Sequence, residues 1–344
     1  MTATMPTRTL KTLLISDGKP GHYHLSDGVC AALARRQALD ITRLDVARPK
    51  WLPARALSAL TNVGEYGRRA VPWALGFAAM PIPACDLIVS AGGDTLAANV
   101  ALAKAYGCPN VFYGSLRRYR PEDFSLVLTS YADRAHLPRH AMTLKPSAFD
   151  PDTVAARARP LGALPVTGLL VGGDSGTVAF SGDDWKRVAA LLTGGAQGGA
   201  KWIVSNSRRT PDAVSDALNA IAADANGTVE FIDVRTAGAG TLGALFAASD
   251  RIAVTVDSSS MISEAIWARK PVVALLPRQH GLPASEQGYR DYLASQGWIA
   301  SLALEQASAD AFEAACETVR PIAGNPLARL ADLLVERLPA LNGL

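Results

Sequence analysis

The chain lacks a long hydrophobic run, paired cysteines and any block of basic residues, and each absence removes a class of function. No uninterrupted apolar stretch approaches the roughly 20 residues of a membrane-spanning helix. The residues before the first strand carry no apolar core, so no secretory leader is expected. The four cysteines, Cys30, Cys85, Cys108 and Cys316, are scattered without a CxxC pair. That speaks against a zinc site and a disulfide framework and points to a reducing, cytoplasmic location. A net charge of +3 without a Lys/Arg run gives no reason to expect a nucleic-acid partner. HExxH is absent, so no metal is expected, and without GxSxG there is no case for a serine hydrolase.

What remains is a globular composition, 49% hydrophobic and 19% charged over 344 residues, more than one core usually serves. Strand-like and helical patterns alternate throughout. The first series expects strands at Leu10–Ser16, Ile41–Asp45, Cys85–Ala91, Asn110–Tyr113 and Leu126–Thr129, with helices at Asp27–Arg36 and Leu96–Tyr106. A proline-rich stretch from Phe149 to Pro165 is expected as a linker. The second series expects strands at Val166–Val171, Trp202–Ser205, Val229–Asp233, Arg251–Val256 and Val272–Leu276. Its helices are expected at Asp183–Thr193, Pro211–Ala223, Leu242–Ala248 and Ser260–Ala268. The expected fold is α/β, two tandem Rossmann-like domains with parallel sheets and a cleft between them. The domains fall at 1–150 and 160–322, with a C-terminal helix at about 325–344 packing back on the first. Ligands in such sheets bind beyond the carboxyl ends of the strands.

Residues 49 to 83 mix Trp51, Leu52, Leu57, Trp73, Phe77 and Met80 with Lys50, Arg55, Arg68 and Arg69. A basic amphipathic segment with tryptophans suits peripheral contact with a membrane. An ordinary helix pair in the core fits the same residues, and periodicity does not choose between them.

The most informative stretch is Val254–Ala265. An apolar strand breaks at Asp257 into Ser258, Ser259 and Ser260, and a helix follows with Met261, Ser263 and Glu264 in its first turns. Free N–H groups, the helix dipole and serine hydroxyls make an anion site there, and Glu264 is placed for a sugar diol. Phosphate plus ribose suggests a nucleotide. Gly173, Asp174 and Ser175 form a Gly-rich turn at the head of the second series, expected to admit the donor, and Ser207, Arg208 and Arg209 form a phosphate clamp. In the first series, Asp17, Gly18, Lys19, Gly21 and His22 follow strand one. Asp17 and His22 supply an acid and an imidazole of near-neutral pKa, a base for an acceptor hydroxyl. Gly93, Asp94 and Thr95 end another strand, with Gly93 and Thr95, like Gly18, Lys19 and Gly21, expected to touch the acceptor and Asp94 a further catalytic candidate. Capping of the next helix explains Asp94 and Thr95 equally well.

DGKPGH (Asp17–His22), SNSRRTP (Ser205–Pro211) and VDSSSMISEA (Val256–Ala265) together resemble the family named after the plant mitochondrial-fission protein "elongated mitochondria". Its bacterial members are read as GT-B glycosyltransferases. The resemblance covers most of the chain and implies a nucleotide-sugar donor and a glycan or lipid-linked acceptor of the cell envelope, such as a lipopolysaccharide. It implies no cofactor, the nucleotide sugar being a co-substrate. The bacterial transferase that makes lipid II is a looser comparison. Its first turn, which handles a lipid-linked acceptor, matches Gly21 and His22, and its Ser-Glu matches Ser263 and Glu264, implying that Glu264 binds ribose. Family members carry Asn where this chain has His22, leaving Asp17 as the alternative base.

Three functions fit. One is a metal-independent, inverting glycosyltransferase in the cytoplasm, peripheral on the cytoplasmic face of the inner membrane through 49–83. The second is a sugar-nucleotide 2-epimerase of the same fold, but that chemistry needs acids after the Gly-Asp-Thr helix. Here Gly114–Arg118 offers none. The third is a non-catalytic membrane-associated scaffold.

Overall fold

A computed structural model describes residues 8–155, 165–237 and 240–339. Most of the expected linker, and the end of the expected C-terminal helix, lie outside the described residues. The chain divides into two compact units, one built from 1–148 and 326–344 and the other from 149–325.

Unit 1 runs β1 (Leu10–Ser16), α1 (Pro20–Ala34), β2 (Leu39–Asp45), α2 (Ala54–Asn62), α3 (Glu65–Ala74), β3 (Leu87–Ala91), α4 (Leu96–Tyr106), β4 (Asn110–Tyr113), β5 (Leu126–Thr129) and β6 (His140–Met142). The sheet order is β2-β1-β3-β4-β5-β6, parallel throughout. The strands at its centre are buried on both faces, which explains their continuous apolar runs. Leu13, Ile15, Ile88, Phe112 and Val127 meet α4 and the α2–α3 pair in one core.

Unit 2 runs α5 (Pro151–Ala155), β7 (Val166–Leu170), β8 (Val178–Ala179), α6 (Gly182–Gln197), β9 (Lys201–Ser205), α7 (Asp212–Asp224), β10 (Val229–Ile232), α8 (Thr241–Ala248), β11 (Arg251–Thr255), α9 (Ser259–Trp267), β12 (Val272–Leu276), β13 (Gln279–His280), α10 (Ala284–Ser295), β14 (Ala300–Ala303) and α11 (Ala309–Thr318). Its parallel sheet has the order β10-β9-β7-β11-β12-β14. The chain then returns to unit 1, where α12 (Pro326–Arg337) packs on α1 through Leu327, Leu330, Ala331 and Leu334.

Several expectations need correction. The first helix starts at Pro20, not Asp27, because proline at N1 is pre-set for a helix start and the polar His22, Tyr23 and His24 that follow hide the periodicity. Gly21 and His22 therefore sit in its first turn. The expected linker contains α5, and β6, β8, β13, β14 and α11 went unforeseen; most are too short to show a period. Cys85 and Cys108, far apart in sequence, bring their sulfurs to 3.7 Å.

The segment 49–83 is core only in part. Leu57, Val71, Leu75 and Phe77 are core. The tryptophans are not: Trp73 is 79% exposed and Trp51 is exposed too, as are Tyr66 (88%), Val63 and Met80. Among the described residues, no helix is long and apolar enough to cross a membrane.

Candidate functional site

Strand order locates the sites. In unit 1 the order reverses between β1 and β3, and in unit 2 between β7 and β11. Connections leave opposite faces there, opening a crevice beyond the strand ends. The turns after those four strands carry the DGKPGH, Gly-Gly-Asp-Thr, Gly-Gly-Asp-Ser-Gly and Asp-Ser-Ser-Ser motifs.

In unit 1 the structure joins the acid and the imidazole. His22 Nδ1 lies 2.8 Å from Asp17 Oδ2, with the Asp17 side chain only 2% exposed and that of His22 36%. A carboxylate accepting from Nδ1–H leaves the lone pair on Nε2, so His22 is placed as base and Asp17 as the group that orients it. Asp17 is too enclosed to serve as the base itself. Gly92, at a φ of 93°, admits the ring, since a Cβ there would come within 2.3 Å of His22 Nδ1. Gly18, at a φ of 72°, makes the turn after β1. Gly21 is exposed beside it.

Asp94 is drawn into a charge chain. Lys19 Nζ approaches it at 2.8 Å and Arg48 Nε at 2.9 Å, and Lys19 also lies 3.4 Å from Asp17. Burial opposes ionisation of Asp94, but the hydrogen bonds from Lys19 and Arg48 outweigh it and hold the carboxyl below its ordinary range. The hydrogen bond to Asp94 likewise holds Lys19 above the usual lysine value. A carboxylate so neutralised is a weak base, so Asp94 is better suited to fixing Lys19 and Arg48 than to catalysis. Neither residue caps α4 with its side chain. Thr95, expected to touch the acceptor, is fully buried, with its hydroxyl given to the carbonyls of Ala91 and Gly92. Gly93 has another use: its missing Cβ makes room for the Arg117 guanidinium.

In unit 2 the buried carboxylate of Asp257 holds three turns together. It accepts from Thr255 Oγ1 at 2.6 Å and Gly173 N at 3.3 Å, and pairs with Arg209 Nη2 at 2.5 Å. The expected role of Gly173 in admitting a ligand gives way to a different one. A Cβ on Gly172 would lie 2.2 Å from Asp257, and one on Gly173 2.1 Å from the Arg209 carbonyl. These glycines let the protein's own segments close up. Thr210, buried, donates toward the carbonyls of Val171 and Gly172. Asn206 ties the same loop to Ser215 and Asp233.

The turn opened by Asp174 and Ser175 is not a direct strand-to-helix turn. Asp174 accepts from Phe180 N, Ser175 pairs with Val178, β8 intervenes, and Ser181 caps α6 in a capping box with Asp184.

Of the two arginines, Arg209 is spent on Asp257, whereas Arg208 is exposed and has no carboxylate partner among the described residues. Ser207 bonds within its own turn, to Thr210 and Arg209 N. Ser258 caps α9 by accepting from Met261 N. Ser260 is exposed at the helix start. Ser259 bonds instead to Glu286 and Arg290, and Ser263 to Tyr289, so these two hydroxyls anchor α10 rather than face a ligand. Glu264 is the anomaly. Burial alone pushes its carboxyl up to about 7, and no partner for it stands among the described residues.

Sequence reasoning missed Thr210, Thr255 and Asn206, the polar residues that brace these turns. Only their small hydroxyl or amide side chains at strand ends hinted at them.

Two parallel-sheet units of this kind define the GT-B fold. It is shared over nearly the whole chain with three solved structures. UDP-GlcNAc 2-epimerase of Neisseria meningitidis bound to UDP-GlcNAc has a TM-score of 0.57 and 11% identity, over 96% of this chain and 100% of that one. MurG of Acinetobacter baumannii has a TM-score of 0.52 and 13% identity, over 95% and 100%. UGT71G1 of Medicago truncatula complexed with UDP-glucose has a TM-score of 0.52 and 10% identity, over 97% of each chain. At such identities the likeness is one of fold. No curated protein matches the chain. The model of the family described as Mitochondrial fission ELM1 matches residues 20–338, and the chain belongs to that family.

Proposed function

We propose that the protein is a metal-independent, inverting glycosyltransferase that moves a sugar from a nucleotide-sugar donor to an envelope glycan or a lipid-linked acceptor. One observation carries this. The α9 N-terminus, with Ser258 and Ser260, lies one helix segment from the half-buried carboxylate of Glu264, which has no partner among the described residues. Glu264 stands six positions after Ser258, about 9 Å along a helix. That is roughly the reach from a diphosphate to the hydroxyls of its own ribose. A ribose diol would give Glu264 the donors it lacks, and the free N–H groups of α9 and Arg208 would take the diphosphate.

In unit 1, His22 Nε2 would take the proton of the acceptor hydroxyl while Asp17 steadies the imidazolium. The oxygen forms a bond to the anomeric carbon as the bond to the diphosphate breaks. The negative charge that develops there is met by Arg208 and the helix terminus. One displacement inverts the centre. Fold-mates named as UDP-sugar-binding proteins support the donor class. The Gly114–Arg118 loop supports transfer over 2-epimerisation, since it carries Arg117 and Arg118 where the epimerase needs carboxylates.

The test is thermal stabilisation with UDP, GDP, CMP, dTDP and ADP and their sugars. A rise in Tm with one nucleotide, reduced in Arg208→Ala, is expected, because a ligand that binds only the folded state stabilises it. No shift with any of them would overturn transfer and epimerisation together and leave the scaffold.

Contact with a membrane surface belongs to the same proposal. Tyr66 and Trp73 lie two turns apart on α3 with Arg69 between them, and Glu65 is the sole acid from 48 to 83. Aromatic side chains beside cations suit an anionic interface. The chain should float with phosphatidylglycerol vesicles, and Tyr66→Ser/Trp73→Ser should cut the bound fraction several-fold. Equal flotation of the two proteins would dismiss the contact.

A further inference from the structure

A second site stands in unit 1, beside the turn that admits His22. A cavity of about 290 Å³ is lined by Arg48, Arg55, Arg117, Arg118, Ser58 and Tyr119, with Gly93 in its wall. We infer that it binds a phosphoryl group, a phosphate monoester or diphosphate, carried by the acceptor; naming the acceptor rests on the transferase proposal above.

Charge comes first. Arg48 is committed to Asp94 and to the Leu52 carbonyl, and Lys19 shares the same Asp94. Arg55, Arg117 and Arg118 have no carboxylate partner among the described residues. Arg55, Arg117 and Arg118 are exposed, and three guanidiniums around one small cavity keep its potential positive and attract an anion. Their planar forks match phosphoryl oxygens in pairs, and three positive charges suit a di- or trianion better than a single carboxylate.

Backbone geometry gives a separate argument. Arg117 has a φ of 55°, a left-handed conformation that a bulky residue seldom takes. Its guanidinium lies where a side chain on Gly93 would begin, since a Cβ there would stand 2.4 Å from Arg117 Cζ. A strained arginine and an obligatory glycine together lay a cation across the turn. The neighbouring Gly92 touches the His22 ring. A phosphoryl group held at this place would fix the acceptor next to its base.

The test is titration of the full-length protein with inorganic pyrophosphate, followed by calorimetry. Arg55 and Arg118 are exposed, so Arg55→Ala/Arg118→Ala leaves the core intact. Affinity should fall at least tenfold in that double variant and persist in Arg208→Ala, which reports on unit 2, while the nucleotide shift is unchanged. Binding that ignores Arg55 and Arg118, or vanishes in Arg208→Ala, overturns the pocket even where nucleotide binding stands. Binding that needs Arg55 and Arg118 without any nucleotide shift keeps the anion site and removes the transferase. Two arms separate the sources. Displacement of pyrophosphate by a hexose 1-phosphate indicates a soluble acceptor. Retention on phosphatidylcholine vesicles doped with a polyprenyl diphosphate, lost in the double variant, indicates a lipid-linked one.

Discussion

Asp257→Ala should destabilise the protein by about 2–3 kcal/mol, measured as a lower urea midpoint at unchanged slope. The side chain is 0% exposed, and its removal leaves Thr255 Oγ1 and Gly173 N without their acceptor. Breaking a fully buried pair costs about 3–5 kcal/mol, but Arg209 is 40% exposed and water compensates it in part, hence the lower figure. The loss should also unpin the turns after β7 and β9, so nucleotide affinity falls with stability. Asp257→Asn keeps the shape and one acceptor and should lose less. Burial pushes the Asp257 carboxyl above its ordinary value despite Thr255 and Arg209. Its contribution to stability therefore weakens as pH rises past that value. A change below about 0.5 kcal/mol, the range of ordinary surface substitutions, would mean that the three turns hold one another without Asp257.

Glu264→Gln should part stability from function. With its carboxyl pushed up to about 7 by burial, Glu264 is mostly protonated in the folded protein and mostly ionised in the unfolded chain between pH 4.5 and 7. The folded state then holds the extra proton, so stability attached to this group is full below pH 4.5 and is lost as pH rises through 7. At pH 8 the buried charge costs on the order of 3 kcal/mol at most. Glutamine has the same shape and no charge. The variant should melt higher than the parent at pH 8, equally at pH 4, and bind nucleotide at least tenfold more weakly through losing an ionised acceptor for the ribose. Equal melting at pH 8 would show that the carboxylate is solvated after all. Unaltered nucleotide affinity would remove Glu264 from the donor site.

Much of this was legible in the sequence because buried parallel strands announce themselves. β4, β5 and β12 appear at their observed limits, since each is a short apolar run between polar turns. α4 was equally plain. The positions of the site motifs at strand ends follow directly from that alternation. Roles were harder to foresee, because a motif residue can spend its polar atom on the protein. Ser259, Ser263 and Thr95 belong to motifs yet are satisfied internally, while Arg208 and Glu264 are not. Nothing local distinguishes Arg208 from Arg209. Only Asp257, 48 residues further on, takes one and leaves the other. The same holds for the pocket arginines, which come from α2, the segment before it and the loop after β4 and meet only through the sheet.

The placement of α12 bears on synthesis. Unit 2 is one continuous stretch, whereas unit 1 needs residues from 326 onward to cover α1. On the ribosome, the earlier-made strands of unit 1 must wait with the apolar face of α1 bare until α12 emerges, by which time the whole of unit 2 is available to fold. Unit 1, begun before unit 2, is thus finished after it. Until then its uncovered face is open to whatever chaperone meets the nascent chain.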